Sequence, residues 1–252
     1  MKLYSKKEIF EVIDDFVSQH EHPVVEILGA TGSGKTTLGI EVAQHLVDAE
    51  VICADSRQVF IDIDVSSAKV TEDEMGGILH WGLDLVTPEE TYSVVDFQKY
   101  AFDKIDTLHK RKQIPILCGG TMLWLDAVSE NYIFGEGPEE KSTDRGAPRY
   151  PILKVGIEWD RDVLYGRLNL RAESHFQYGL IEETQLLREK YDFSKSALTS
   201  FGYKEIIQYL DGDISKEEAL FATQKRNRNY AKRQMTWWRG REDIVWMDGK
   251  TL

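Results

Sequence analysis

Cysteine is scarce in this sequence, and its placement excludes a disulfide scaffold. Cys53 and Cys118 are the only two among 252 residues, each inside an apolar stretch and without CxxC or Cys/His ligand spacing. The six histidines form no cluster at metal-ligand spacing either. We interpret both cysteines as structural thiols, because a disulfide framework needs several cysteines and a zinc site needs several Cys or His ligands at short spacing.

Long apolar segments are also missing. No run approaches the ~18 residues of a membrane span, and residues 1–19 mix charged with apolar side chains instead of showing a signal-peptide core. We expect a cytoplasmic protein with no membrane partner. Its 42% hydrophobic content, without a glycine or proline excess, is typical of a packed globular chain of one large domain or a core with an appendage.

Positive charge is in deficit overall but concentrated in one segment. The chain has 31 Lys and Arg against 43 Asp and Glu, a net charge of −12. Residues 225–241 nevertheless contain seven Lys or Arg and no acidic residue. A basic segment on an acidic protein indicates a localised contact with a polyanion.

Apolar periodicity predicts strands that alternate with helices. Strands are expected at 24–28, 51–54, 114–118, 152–157 and 244–247, and helices at 6–19, 35–47, 95–110, 122–128, 160–178, 180–190, 203–210 and 215–239. Residues 57–94 are expected to be irregular, with short elements and a break at Gly76-Gly77. This order predicts an α/β fold with a parallel sheet flanked by helices and a helical C-terminal region.

One loop carries a phosphate-binding motif. Residues Gly29-Ala30-Thr31-Gly32-Ser33-Gly34-Lys35-Thr36 match GxxxxGK[ST] between a strand and a helix. Backbone N–H groups of such a loop converge on phosphate oxygens, the Lys35 ammonium adds charge, and the Thr36 hydroxyl can hold Mg²⁺. The motif makes the sheet P-loop NTPase-like and leaves open a diphosphate, a triphosphate or a diphosphate ester as ligand.

The expected chain divisions follow from these elements. We predict an N-terminal helix over 1–22, a P-loop core over 23–128, a loop over 129–151 and the remainder of the core with a basic helical region over 152–252. The loop assignment rests on its composition, since it holds three of the six prolines.

Asp55 is the candidate carboxylate. The strand at 114–118 ends in Gly119-Gly120-Thr121, where an ordinary P-loop NTPase usually places an acid for Mg²⁺. Asp55 instead follows the strand at 51–54 and precedes Ser56-Arg57-Gln58. This turn suits a substrate-contacting loop that also supplies a base, although a helix cap or a metal-bound water would explain Asp55 as well.

Two later helices carry cations at helical spacing. Arg167, Arg171 and His175 share a face, which could clamp a diphosphate or form surface ion pairs. In the last helix Arg226, Tyr230, Arg233 and Trp237 fall on one side. Cations with aromatic rings suit a single-stranded RNA loop, and the alternative is a core-packed helix with buried tryptophans.

Together these residues resemble the tRNA dimethylallyltransferases, also called tRNA isopentenyltransferases. The similarity covers about residues 24–125 and 152–248. Besides the P-loop it rests on Ala54-Asp55-Ser56-Arg57-Gln58-Val59, Ser67-Ala68-Lys69, His80-Trp81-Gly82-Leu83-Asp84, Tyr92-Ser93, Asp96-Phe97, Gly119-Gly120-Thr121, Arg167, Arg171, Gly179-Leu180, Phe201-Gly202-Tyr203-Lys204 and Tyr230-Ala231-Lys232-Arg233-Gln234-Met235-Thr236-Trp237.

The resemblance implies a prenyltransferase. Such an enzyme transfers a dimethylallyl group from dimethylallyl diphosphate to the N6 amine of an adenosine beside the anticodon and releases diphosphate. It implies that the P-loop with Thr31 and Lys35 holds the diphosphate, that Asp55 accepts the amine proton, and that Thr121 and Arg171 or Arg167 face substrate. Mg²⁺ and the tRNA anticodon loop are the implied cofactor and partner, and we expect a monomer.

By the same likeness we predict twelve tRNA contacts: Ser56, Arg57, Gln58, Gly202, Tyr203, Lys204, Arg228, Tyr230, Lys232, Arg233, Gln234 and Trp237. The family usually has proline at Ala30, alanine at Gly32, glycine at Met122 and methionine near His175. Between Leu125 and Ile152 it has an insertion that grips the anticodon stem, for which this interval is too short.

The short interval keeps other functions open. A prenyltransferase acting on a free adenine nucleotide is the first alternative. A P-loop kinase or NTPase and a catalytically inactive RNA-binding module are further ones.

Overall fold

A computed structural model describes residues 2–135, 143–192 and 202–252. Its strands are β1 (Leu3–Tyr4), β2 (Val24–Gly29), β3 (Ala49–Ala54), β4 (His80–Trp81), β5 (Ile114–Gly119), β6 (Tyr132–Phe134), β7 (Thr143–Arg145), β8 (Ile152–Glu158) and β9 (Ile244–Asp248). Its α-helices are α1 (Lys6–Gln19), α2 (Lys35–Leu46), α3 (Glu72–Met75), α4 (Val94–Lys110), α5 (Met122–Ser129), α6 (Arg161–Gln177), α7 (Leu180–Lys190), α8 (Tyr203–Leu210) and α9 (Lys216–Trp238). Within these ranges no helix is long and apolar enough to cross a membrane.

Seven strands form one parallel sheet in the order β1-β9-β8-β2-β5-β3-β4. The predicted parallel α/β architecture is confirmed. In the register, Gly119 pairs with Leu28 on one side and with Ala54 on the other. The loops after β2, β3 and β5 therefore leave the sheet at the same edge, which is where ligands bind in such folds.

Alternate residues of the central strands feed two cores. Ile52 and Leu117 belong to the core under α4, α5, α6, α8 and α9, while Val51 and Ile116 belong to the core under α1 and α2. The first core buries Trp238 completely. Because both faces of the sheet are covered, its central strands are mostly apolar instead of alternating, with buried Glu26, Glu50 and Lys154 as exceptions.

The segment predicted as a loop over 129–151 is partly regular. β6 and β7 pair antiparallel, with Tyr132 opposite Arg145 and Phe134 opposite Thr143. Residues 136–142 of the predicted loop lie outside the described residues. Aromatic and β-branched residues favour extended structure, and in Tyr132-Ile133-Phe134 this preference outweighs the surrounding glycines and prolines.

Candidate active site

The P-loop is shaped by backbone conformations that favour glycine. Gly32 and Gly34 have φ of 74° and 95°, a region in which a side chain would be strained. The turn closes with the Ser33 N–H donating to the Ala30 carbonyl at 3.1 Å. The Lys35 ammonium donates to the same carbonyl at 2.9 Å. The lysine is therefore folded back over the loop, as a phosphate-binding lysine must be.

One side chain directly after β8 and one on α6 hold this loop from outside. The Trp159 indole N–H donates to the Ser33 carbonyl at 2.9 Å, and Arg167 Nε donates to the Gly32 carbonyl at 3.1 Å. The Arg167 guanidinium also lies 4.5 Å from the Trp159 ring centroid. Arg167 thus supports the loop and lines the neighbouring cavity.

A cavity of about 470 Å³ opens in front of the P-loop. One part of its wall is polar and another is apolar. The polar part includes Thr31, Lys35, Thr36, Asp55, Gln58, Arg167 and Arg171, and the apolar part includes Val51, Cys53, Ala68, Cys118 and Leu170. The cavity can therefore accommodate a molecule with an anionic end and an apolar end.

A second cavity of about 190 Å³ adjoins the first. Ser56, Arg57, Gly120, Arg226, Tyr230, Arg233 and Gln234 line it alone, and Thr31, Lys35, Asp55, Ser67 and Arg171 line both cavities. The two spaces therefore meet at one carboxylate, Asp55, with two cations beside it. This is the arrangement expected where two substrates approach each other from different sides.

The Asp55 turn is fixed by local hydrogen bonds. The Arg57 N–H donates to Asp55 Oδ1 at 2.9 Å, which forms an Asx-type turn. The Ser56 N–H donates to the Thr121 hydroxyl at 2.9 Å, and the Thr121 N–H donates to the Ala54 carbonyl at 3.2 Å. Thr121 consequently positions the turn that carries Asp55, and it does not itself line either cavity.

Burial dominates the electrostatics of the cations. It lowers the pKa of Lys35 to about 8, against the opposing effect of the Asp55 carboxylate. Burial also lowers the pKa of Arg171, again with Asp55 acting in the opposite direction. On the next turn of α6, burial and then Arg171 lower the pKa of His175 to about 4. Of the predicted face, Arg171 and His175 therefore point inward and His175 is neutral at pH 7, whereas Arg167 is exposed at the P-loop.

Gln234 links the basic helix α9 to the P-loop and to the loop that follows β5. Its side chain is only 1% exposed. The Thr31 N–H donates to Gln234 Oε1 at 2.8 Å, and Gln234 Nε2 donates to the Gly120 carbonyl at 2.7 Å. The Tyr230 hydroxyl donates to the same carbonyl at 3.3 Å. The amide is thus a structural bridge as well as part of the cavity wall.

The structure separates the residues predicted to contact tRNA. Five of them line the smaller cavity: Ser56, Arg57, Tyr230, Arg233 and Gln234. Gln58 lines the larger one, and its amide donates to the carbonyls of Ser67 and Ala68 at 3.4 and 3.2 Å. Lys204, Lys232 and Trp237 are exposed, the last with its indole N–H on Asp126 Oδ2 at 2.8 Å.

Two of the predicted contacts need correction. Gly202 is buried, and Tyr203 is 0% exposed with its hydroxyl donating to Glu183 Oε1 at 2.6 Å. They face the protein interior, so a direct contact with RNA does not fit their positions.

Arg228 is directed to α6, where it donates to Asn169 Oδ1 at 2.6 Å. Phe201, quoted with this motif, lies outside the described residues.

Two residues of the site were not among the predicted contacts. Ser67 lines both cavities, and the signal for it was the motif Ser67-Ala68-Lys69 of the resemblance, to which no role was assigned. Arg226 lines the smaller cavity and pairs with Glu205 at 3.1 Å. The sequence analysis placed it on one helix side with Tyr230 by their spacing of four residues, although the twelve predicted tRNA contacts omit it.

Thr36 is the candidate metal ligand. It lines the larger cavity with Asp55, at the beginning of α2. Among the residues that the structure describes, no group of three or more His, Cys, Asp or Glu could hold a metal ion. A threonine hydroxyl at a helix N-terminus, lining a cavity with a carboxylate, is the type of oxygen donor that a hard divalent cation takes.

The chain is similar to one enzyme family along most of its length. The family model described as IPP transferase matches residues 58–144 and 134–241. The tRNA dimethylallyltransferase of Oceanobacillus iheyensis is 34% identical over 88% of this chain and 90% of that protein. The enzyme of the same name from Shouchella clausii is 31% identical over 90% of this chain and 91% of that protein.

Solved structures agree with these sequence matches. The tRNA isopentenylpyrophosphate transferase of Bacillus halodurans superposes with a TM-score of 0.82 at 30% identity, over 90% of each chain. The tRNA delta(2)-isopentenylpyrophosphate transferase of Staphylococcus epidermidis gives 0.82 at 29% identity, over 91% of this chain and 94% of that one.

The alignments also show that this chain is shorter than its relative within the aligned region. The Oceanobacillus match spans 282 aligned positions, whereas 88% of 252 residues is about 222, so about 60 positions of the relative have no counterpart here. The two matched segments of the family model overlap at residues 134–144, from the end of β6 into β7.

Proposed function

This chain belongs to the IPP transferase family, and from that premise we propose that it is a tRNA dimethylallyltransferase. It transfers a dimethylallyl group from dimethylallyl diphosphate to the N6 amine of an adenosine adjacent to the tRNA anticodon. The observation that carries the proposal is the pair of cavities that meet at Asp55, one against the P-loop and the other against the basic helix α9.

The larger cavity suits the prenyl donor. Its diphosphate would lie against the P-loop amides with Lys35 and Arg171 as counter-charges. The apolar wall that includes Val51 and Cys118 then suits the dimethylallyl tail, because apolar surface gains free energy on leaving water. Negative charge grows on the diphosphate as the carbon–oxygen bond breaks, and fixed cations stabilise that charge.

The smaller cavity suits the acceptor adenosine. A target base must leave its stack to enter such a pocket, and the Tyr230 ring and Arg57 provide surfaces of the kind that bind unstacked bases. The N6 nitrogen attacks the allylic carbon, a carbon–nitrogen bond forms, and the electron pair of the broken carbon–oxygen bond leaves with diphosphate. The displaced amine proton goes to the Asp55 carboxylate, which acts as general base.

Mg²⁺ is the proposed cofactor. Thr36 at the start of α2 would hold it together with the diphosphate of the donor. When bound, the ion neutralises part of the diphosphate charge. The residues of this chain retain the remaining tasks: the P-loop orients the donor, and Asp55 receives the proton.

A free adenine nucleotide is the second candidate acceptor. It is favoured by the absence of about 60 positions that the Oceanobacillus relative contains. The cationic and aromatic side chains of Tyr230 and Arg233 beside the smaller cavity favour RNA instead. A kinase is disfavoured because Gly119-Gly120-Thr121 supplies no acid at the end of β5.

One experiment separates these functions. The purified protein with Mg²⁺ and dimethylallyl diphosphate is incubated in parallel with unmodified tRNA, with AMP, and with tRNA in which the target adenosine is replaced by guanosine. Product masses are then measured. A gain of one dimethylallyl group by the adenosine-containing tRNA alone is the expected result. Prenylated AMP without prenylated tRNA would transfer the protein to the nucleotide-modifying class, and no product from either acceptor would refute the proposal.

A further inference from the structure

A third cavity lies outside the site described above. It measures about 150 Å³ and is enclosed by the beginning of α6, the end of β8 and the second half of α9. Such a volume is too small for a cofactor-sized ligand and suits one ring-sized group. Its characteristic side chains are Trp159, Arg161, Tyr165, Lys232, Met235 and Arg239.

Aromatic and cationic groups share the walls of this cavity. The Arg161 guanidinium lies 5.2 Å from the Tyr165 ring centroid. Arg239 pairs with Glu158, a nearby buried acid, so that acid is already neutralised. Lys232 and Arg161 are exposed at the cavity, where no ion pair is formed with either in the described part of the chain. The residues that line the cavity therefore include three cations and no acid, on a protein that is acidic overall.

The cavity and the acceptor site lie on opposite flanks of α9. Tyr230 and Arg233 line the acceptor side, whereas Lys232 and Arg239, seven residues apart, line the other side. Exposed Arg233 and Lys232 cover the solvent ridge between the two flanks. A chain that leaves the acceptor cavity over this ridge reaches the third cavity within one helix width.

The third cavity is also tied to the donor site. Trp159 lines it and donates its indole N–H to the Ser33 carbonyl of the P-loop at 2.9 Å. An occupant would therefore touch a side chain that supports the diphosphate loop. No residue of this cavity other than Lys232 was among the predicted tRNA contacts.

We propose that this cavity is a second nucleotide subsite, which takes an unpaired nucleotide of the RNA acceptor outside the reacting adenosine. Its phosphate binds Arg161 and Lys232, and its base packs beside Tyr165. The inference rests on the proposed function for the identity of the ligand. Beyond the proposed function, RNA crosses α9 and is held on both flanks of this helix.

Arg161→Gln tests the phosphate contact. The probe is an unmodified tRNA anticodon stem-loop, whose Kd is measured over a range of salt concentrations. We expect the Kd to rise about fivefold, and the slope of log K against log salt to decrease by about 0.7, the value for one single-strand phosphate contact. Arg161→Lys should restore the slope because the charge is retained. Arg111→Gln is the matched control, an exposed arginine at the end of α4, at the opposite edge of the sheet.

Tyr165→Leu tests the base contact. It should raise the Kd about fivefold or more with an unchanged salt slope, because stacking is lost and no charge is removed. A thermal scan of each variant verifies folding. The KM for dimethylallyl diphosphate should remain that of the unchanged protein.

The outcomes distinguish the subsite from the function itself. If Arg161→Gln and Tyr165→Leu bind the stem-loop as the parent does while prenylation of tRNA proceeds, the subsite is refuted and the proposed function stands. If Arg161→Gln weakens binding of the stem-loop but Tyr165→Leu does not, the cavity recognises charge alone, and the nucleotide subsite is again refuted. If the variants lose RNA affinity as expected but no protein prenylates any acceptor, the subsite stands and the proposed reaction fails.

Discussion

Gln234→Met removes two hydrogen bonds from the interior with little change in side-chain volume. In the parent the Thr31 N–H reaches Gln234 Oε1 at 2.8 Å, and Nε2 reaches the Gly120 carbonyl at 2.7 Å. Each buried hydrogen bond contributes about 1 kcal/mol net, so the loss is about 2 kcal/mol. Gly120 keeps the Tyr230 hydroxyl as a donor, which limits the penalty at that carbonyl.

Thermal unfolding followed by circular dichroism measures this loss. For a chain of this size 2 kcal/mol corresponds to a fall in Tm of about 4–8 °C. Added diphosphate should narrow the difference, since a phosphate oxygen gives the Thr31 N–H a new acceptor. A Tm of Gln234→Met within about 1 °C of the parent would refute the view that this amide holds the two loops together. Gln224→Met is a matched control, because Gln224 lies on the same helix but away from the P-loop and from the loop that follows β5.

Three further predictions concern individual ionisable groups. Asp55→Asn should reduce turnover by about 10²-fold or more with nearly unchanged diphosphate affinity, and turnover near that of the parent would remove Asp55 as the base. The affinity for dimethylallyl diphosphate, measured by calorimetry, should not change with pH through Lys35 below pH 8 and should fall about tenfold per pH unit above it. The reason is that the pKa of Lys35 is about 8, so that above this pH the neutral amine must take up a proton before it can pair with the diphosphate. This fall should be absent in Lys35→Arg. Burial raises the pKa of Glu26 to about 7, so between pH 4.5 and 7 the folded state keeps this carboxyl protonated while the unfolded state loses the proton. The free energy of unfolding should therefore fall by about 3 kcal/mol over this pH range. Urea titrations should show the fall in the parent and not in Glu26→Gln, and parallel pH curves of the two proteins would contradict it.

Most of the fold could be predicted because local signals agreed with the global arrangement. α1 begins with the capping box formed by Ser5 and Glu8, and the prediction of residues 6–19 matches its bounds. The buried parallel strands appear as short, mostly apolar runs, which made β2, β3, β5 and β8 predictable. The two-residue strands β1 and β4 could not be predicted, since two residues show no period and their pairing depends on distant partners.

The candidate site was predictable only as far as sequence motifs reach. The P-loop and Asp55 follow strands whose ends the sheet brings to one edge, so their proximity could be inferred. Tyr203 belongs to a motif of the resemblance, yet its burial depends on how α8 packs against Glu183 and the first core. The double role of Gln234 was likewise hidden, because both of its partners lie more than 100 residues away along the chain.

The hairpin of β6 and β7 gives the family a place where chain length can change without disturbing catalysis. Its strands pair Tyr132–Phe134 with Thr143–Arg145, and a longer connection would replace only the eight residues between Phe134 and Thr143. Extending that connection by about 60 residues adds only about 2 kcal/mol of loop-closure entropy, because the cost rises with the logarithm of length. An accessory domain can therefore be gained or lost here during evolution as one unit, with the Asp55 site, on the loops after other strands, carried unchanged from one form to the other.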